Sequence, residues 1–275
     1  MIRLAIRCKA EHAERALAQL IDLAPTGIEE VREGDIVEYA VYGPPGEVPT
    51  LPDLKVAVGD DLVDVTTTEV PDDWHERWKD FHGSLLIGAD HPSGGIFLRP
   101  SWEQSDPRPG ATEIVLDPGQ AFGTGSHPTT RLCLELMLDL DPAGEFVDLG
   151  CGSGVLAIAA AKLGWKPVRA YDYDKLAVDA TLANAYGNKV AIEVQQADLR
   201  EGLPELAPTV FANLMRPLLL EVESKLPPGD PVEHLVLSGL LDEEADEIAG
   251  AFAVHGFGEV RRVSEGGWTG LHLAR

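Results

Sequence analysis

The stretch Glu-Phe-Val-Asp-Leu-Gly-Cys-Gly-Ser-Gly at 145–154 runs directly into Val-Leu-Ala-Ile-Ala-Ala-Ala at 155–161, which leaves the backbone little choice. A short apolar run that meets glycines and continues as an alanine-rich pattern reads as strand, tight turn and helix. Gly150 and Gly152 let the backbone turn sharply and approach a ligand closely. Ser153 is placed to cap the helix, whose free amide groups then face that ligand. The spacing narrows the choice of ligand. A dinucleotide fingerprint wants a third glycine after two intervening residues, whereas Gly154 follows Gly152 by one, with Val155 and Leu156 beyond it. Hydride chemistry on a nicotinamide cofactor is therefore disfavoured.

A chain of 275 residues, 44% hydrophobic and 25% charged, can bury a large core and suits one medium domain plus a small one. Its formal charge of −24 argues against direct nucleic-acid binding through many phosphate contacts and is compatible with a basic protein partner. Cys8, Cys133 and Cys151 have neither paired spacing nor a histidine at metal-ligand distance, so no disulfide framework, no metal site and a reducing cytoplasm are expected. The first residues carry charges inside their apolar stretch, and no run reaches membrane-spanning length; neither export nor membrane insertion is expected.

Residues 2–8 alternate as a half-buried strand, 11–22 have helical spacing, and strands are expected at 27–31, 36–42 and 62–70. This is a small β-α-β-β module with a proline-rich insertion over 44–60, where no second helix is drawn. Asp73 and Glu76 resemble a capping box, and Trp74, Trp78 and Phe81 share the face of a connecting helix. Strands at 95–98 and 112–116 precede the glycine-rich segment 117–130. A helix then opens with Pro128 in its first turn and Leu132, Leu136 and Leu140 on its buried face. From 145 onward strands (146–149, 168–171, 191–194, 210–213, 235–238) alternate with helices, which implies a parallel sheet covered on both sides, and 258–263 with 269–274 form a final antiparallel pair.

In a doubly wound sheet ligands bind beyond the carboxyl ends of the strands. Asp172, in Ala-Tyr-Asp-Tyr-Asp, can accept hydrogen bonds from both ribose hydroxyls of a nucleoside cofactor, with Asp174 as its rival. Asp198 follows the next strand and is a candidate for placing an adenine ring. Asn213 ends the strand Val-Phe-Ala-Asn, where a neutral amide can orient an attacking amine or hold part of the cofactor; alternatively it caps the helix near Arg216. Thr129 and Thr130 start a helix aimed at the same pocket, after turns that Gly123 and Gly125 permit, and His127 is given a structural role. Neither Cys133 nor Cys151 has an evident base.

The segment Leu-Asp-Pro-Gly-Gln-Ala-Phe-Gly-Thr-Gly-Ser-His-Pro-Thr-Thr-Arg-Leu-Cys-Leu-Glu at 116–135 resembles the signature of the PrmA family, the bacterial ribosomal protein L-eleven methyltransferases. The glycine turn at 148–160, Tyr-Asp-Tyr-Asp at 171–174, Ala-Asn-Leu at 212–214 and Leu-Ser-Gly-Leu-Leu at 237–241 are similar to that family in the same order. So are Asp-Trp-His-Glu-Arg-Trp-Lys at 73–79 and Arg-Pro-Ser-Trp-Glu at 99–103, which brings the likeness to roughly 70–275. The resemblance implies an α/β fold, a class I methyltransferase Rossmann-like doubly wound sheet with an antiparallel last strand, plus a small N-terminal α+β (ferredoxin-like) domain. It implies a substrate-recognition domain at 1–70, a linker helix at 71–90 and an S-adenosylmethionine-dependent methyltransferase domain at 91–275. Carried over position by position, cofactor contacts fall on Thr130, Gly150, Asp172 and Asn213, alongside Gly152 and Asp198 from the strand-end reading. The implied substrates are lysine and N-terminal amines of a ribosomal protein. The chain departs from the family where Leu214, Met215 and Arg216 follow Asn213, at His82-Gly83, and most of all in the first module. Methylation of another protein's lysines and cofactor binding without turnover are the rival readings.

Overall fold

The computed structural model describes residues 2–9, 13, 28–43, 62–69, 83–105, 109–117, 125 and 127–275. The chain divides into two compact units, Met1–Phe81 and His82–Arg275. In the first, strands β1 (Ile2–Lys9), β2 (Ile28–Glu33), β3 (Ile36–Gly43) and β4 (Leu62–Glu69) form an antiparallel sheet in the order β2-β3-β1-β4. Leu4, Ala5, Ile6 and Cys8 are buried while Arg7 and Lys9 face out, so the period of two of a one-sided sheet holds from Ile6 onward. Arg7 lies directly across from Glu38 and pairs with it at 2.6 Å. The strands and their order are those of a ferredoxin-like sheet. Of the helix expected over 11–22 only Ala13 is described, helical and buried, and the insertion at 44–60 lies outside the described residues.

The second unit opens with β5 (Leu85–Ile87), β6 (Ile96–Arg99) and β7 (Thr112–Val115), a three-stranded sheet in that order. Trp74, Trp78 and Phe81 of the linker helix expected over 71–90 lie outside the described residues. The C-terminal part of that span is not helical, because Leu85–Ile87 pairs with β6 instead. This three-residue strand carries too little pattern to show in sequence.

After α1 (Pro128–Leu138) come β8 (Phe146–Leu149), α2 (Val155–Leu163), β9 (Val168–Asp172), α3 (Lys175–Gly187), β10 (Glu193–Gln196) and β11 (Thr209–Asn213). The chain continues through α4 (Arg216–Ser224), β12 (His234–Leu241), α5 (Ala245–Ala253), β13 (Gly258–Glu265) and β14 (Trp268–Ala274). Seven of these strands form one sheet in the order β10-β9-β8-β11-β12-β14-β13. The first five are parallel, and β14 runs antiparallel between β12 and β13, as the class I methyltransferase fold requires. Alternate residues of each central strand serve two cores. Phe146, Phe211 and Val236 pack under α1 and α2, whereas Val147, Val210, Leu235 and Leu237 pack under α4 and α5. Both faces are covered, which explains why the strands read as continuous apolar runs.

Two expectations are corrected in this unit. Leu140 lies beyond the end of α1 and is only half-buried, whereas Leu132 and Leu136 are buried as expected. The strand drawn at 191–194 is displaced to Glu193–Gln196. As an edge strand with exposed Glu193, Gln195 and Gln196 it lacks the apolar alternation that fixes a register. Among the described residues no helix is long and apolar enough to cross a membrane.

Candidate active site

Gly150, Gly152 and Gly154 adopt φ of +77°, +54° and +82°, so the turn after β8 is left-handed at every second residue. The amides of Gly150 and Cys151 both donate to the Tyr171 carbonyl, at 2.8 and 3.0 Å, and the Gly152 amide donates to Asp172 Oδ2 at 2.9 Å. From behind, α3 clamps the turn: the Thr181 hydroxyl donates to the Gly152 carbonyl at 3.0 Å, and Asn184 Nδ2 donates to the Ser153 carbonyl at 2.9 Å. Ser153 is not the cap of α2. Gly154 holds that position without a side-chain cap bond, and Ser153 is buried. A Cβ at 154 would come within 2.7 Å of Thr181 Cγ2, so the pressure of α3 puts a glycine where capping preference alone favours serine.

The two acids of Tyr-Asp-Tyr-Asp separate cleanly. Asp172 ends β9 and faces the turn, accepting the Gly152 amide on Oδ2 and the Asp174 amide on Oδ1 at 3.0 Å. Asp174 caps α3 through the Leu176 amide at 2.9 Å. Asp148, the strand acid, is fully buried: Oδ2 accepts the Ala157 amide at 3.2 Å, and Oδ1 has no hydrogen-bond partner among the described residues. Burial pushes its carboxyl up to about 7, against the Ala157 amide and with a further push from the Asp172 charge.

On the other side of the sheet's carboxyl end, Asn213 closes β11 and directs Nδ2 toward the Thr130 hydroxyl at 3.5 Å. Asn213 does not cap α4; Met215 holds that position. Thr130 is buried in the first turn of α1, whose cap is His127: its Nδ1 lies 2.8 Å from Thr129 Oγ1 and accepts the Thr129 amide at 3.4 Å. The His127 ring also meets Trp268 edge-on, at 4.9 Å between centroids. Trp268 starts β14, at the end of the stretch Glu-Gly-Gly-Trp over 265–268.

Asp198 follows β10, and its carboxylate is engaged by Arg200 through the backbone amide at 2.9 Å, Nε at 2.9 and 3.1 Å, and Nη2 at 2.8 Å. These bonds hold Asp198 below the usual carboxylate range, and the same guanidinium sits 5.5 Å over the Tyr173 ring. Arg216, beside Asn213 in sequence, is paired through both nitrogens with Glu247 at 2.6 and 2.7 Å, so its charge is countered. Cys133 and Cys151 are buried, and burial raises both thiols further from ionisation, the reverse of what a nucleophile needs. Gly123 lies outside the described residues.

Residues 51–275 match the family described as Ribosomal protein L11 methyltransferase (PrmA). Relatives bearing the name Ribosomal protein L11 methyltransferase include one from Exiguobacterium sibiricum, 37% identical over 77% of this chain and 67% of its own length. One from Shewanella denitrificans is 42% identical over 64% of this chain but spans only 59% of that relative. One from Bordetella bronchiseptica is 34% identical across 99% of both chains. The crystal structure of the ribosomal protein L11 methylase from Lactobacillus delbrueckii subsp. bulgaricus superposes with a TM-score of 0.59 at 29% identity, covering 66% of this chain and 93% of that one. The family match takes in β8 with its glycine turn, β9 and β11, and the Bordetella relative carries the likeness through the first module; the chain belongs to the ribosomal protein L11 methyltransferase (PrmA) family.

Proposed function

We propose that this chain is an S-adenosylmethionine-dependent protein methyltransferase whose acceptors are amines, lysine side chains and the N-terminal amine, of a ribosomal protein of the L11 type. The observation that carries the reading is the Asp172 carboxylate. It offers four acceptor positions and, among the described residues, uses two of them, one per oxygen, on the Gly152 and Asp174 amides. One position per oxygen is left for the two hydroxyls of a ribose, beside a turn whose glycines allow close approach. The residues present thus fit the cofactor.

S-adenosylmethionine, when bound, supplies an electrophilic sulfonium methyl, so this chain's residues have no leaving group to protonate. Asp172 and the turn at Gly150 and Gly152 hold the nucleoside. Asp198 would take the nucleobase, in exchange for bonds it now accepts from Arg200, and Thr130 with Asn213 would hold the methionine end, where the Asn213 amide would align a neutral amine without adding charge. Alignment of this kind contributes up to about 7–11 kcal/mol to lowering a barrier. The Arg216–Glu247 pair keeps a bare positive charge away from an incoming lysine. The sequence's net charge of −24 suits a basic protein substrate, and the first module supplies a second surface for it.

Mass spectrometry of ribosomal proteins from cells with and without the gene tests the reading. Methyl groups on L11 that disappear with the gene support it. L11 mass unchanged, with another protein losing label, assigns the activity elsewhere.

A further inference from the structure

Asn213 is positioned by a main-chain contact that its own strand does not make. In β12, paired with β11 through Asn213 and Ser238, the Ser238 carbonyl accepts the Leu214 amide at 3.0 Å. The next residue, Gly239, has φ of +83°, and the pairing of β12 with β14 is interrupted between Leu237 and Leu240. At this break Gly239 lies directly under the Leu214 peptide. A Cβ at 239 would fall 2.7 Å from Leu214 C and 3.0 Å from Leu214 N, and closer still to Leu214 O. The Leu214 side chain meanwhile lies over Gly150, where an added Cβ would overlap its Cδ2. Leu214 is therefore held between two glycines of different strand ends, its peptide on Gly239 and its side chain on Gly150.

We infer that Gly239 is a positioning residue: by letting the Leu214 peptide settle onto β12, it sets the height of the Asn213 amide relative to the glycine turn. The inference rests on the reading of Asn213 as the amine-aligning group. A side chain at 239 must push against backbone atoms, which cannot swing aside as a flexible side chain would. The displacement passes to the residue before Leu214, whereas at Gly150 only the flexible far end of the Leu214 side chain has to give, and Asp172 keeps its bonds with Gly152 and Asp174.

Gly239→Ala tests this, with Gly256→Ala as the control for backbone strain alone, since Gly256 has φ of +90° and no atom within 4 Å of an added Cβ. In Gly239→Ala, kcat falls by about tenfold or more, the scale expected when a reacting group is misplaced, while the affinity for S-adenosylhomocysteine by calorimetry stays within about threefold. The Asn213 side-chain amide resonances shift in Gly239→Ala and stay in place in Gly256→Ala. Gly239→Asn, which tolerates positive φ but keeps the Cβ, behaves like Gly239→Ala. Recovery of kcat in Gly239→Asn, or unmoved Asn213 resonances in Gly239→Ala, overturns the inference. If Gly239→Ala does not fold, hydrogen exchange on the native protein decides: the Leu214 amide must be as protected as those of β12, and exchange at the rate of an open loop excludes the seat. Methyl transfer at the native rate by Asn213→Ala sinks the aligning role of Asn213 instead, and leaves the resonance test of its seat intact.

Discussion

Asp172 Oδ2 accepts the Gly152 amide at 2.9 Å, across 20 residues of sequence, and this bond ties the end of β9 to the turn after β8. The carboxylate is thus oriented by the same turn that it helps to shape. Its two positions left open among the described residues are the ones proposed for a ribose. Asp172→Ala removes charge-assisted hydrogen bonds of about 1.5–3 kcal/mol and is expected to weaken S-adenosylhomocysteine binding by roughly 10- to 100-fold in calorimetry. Unchanged affinity takes Asp172 out of the site.

Thr130 and Asn213 act as a pair in the proposed site, because at 3.5 Å their contact is long enough to tighten when a ligand arrives. Asn213→Ala is expected to lower kcat by about 10²-fold, the scale of losing an aligning group, with a smaller change in cofactor affinity. Thr130→Val, which keeps the shape and removes the hydroxyl, should lower kcat in the same direction but less. A double variant no worse than Asn213→Ala alone shows that the two act as one unit.

The Asp148 carboxyl is raised from 3.8 to about 7 in the fold, so its contribution to stability is fully present below about pH 4 and is lost as pH rises through 7. Asp148→Asn keeps an acceptor for the Ala157 amide and cannot ionise. Thermal melts should show the variant gaining on the native protein as pH climbs from about 4 to 7, with the gap level above about 8. A constant gap between about pH 4 and 7 means that Asp148 does not titrate in the fold.

Arg200 engages both carboxylate oxygens of Asp198, the atoms to which a nucleobase amino group would donate. Arg200→Ala frees that carboxylate, and S-adenosylhomocysteine should bind several-fold more tightly, with the gain absent in the Asp198→Ala background. Weaker binding in Arg200→Ala would instead make the guanidinium over Tyr173 part of the nucleobase platform.

The sequence showed what is local. An apolar run, spaced glycines and an acid ending the next strand placed β8, the turn and Asp172 before any coordinates, since a strand buried on both faces and a left-handed turn leave composition traces. Contacts set by distant packing left none. Thr181 and Asn184 grip the turn from about 30 residues away, and nothing in their helix marks them for it. Gly239 sits inside Leu-Ser-Gly-Leu-Leu, which reads as ordinary strand until the neighbouring strand's Leu214 peptide is laid against it. Ser153 looked like a cap because cap preferences describe the helix alone, without the helix packed against it.

The two halves of the proposed pocket differ in how far the chain must reach to build them. Gly152 and Asp172 are 20 residues apart and joined by a single strand-helix-strand crossover, while Thr130 and Asn213 are 83 apart and meet only after the chain has run out through β9 and β10 and returned to lay β11 against β8. Closing the longer loop costs more entropy and depends on more of the sheet. Destabilising changes in β11, which carries Asn213 but neither Asp172 nor the glycine turn, should therefore erode the acceptor half first, and a molecule damaged there would still capture the proposed cofactor while no longer passing on the methyl group.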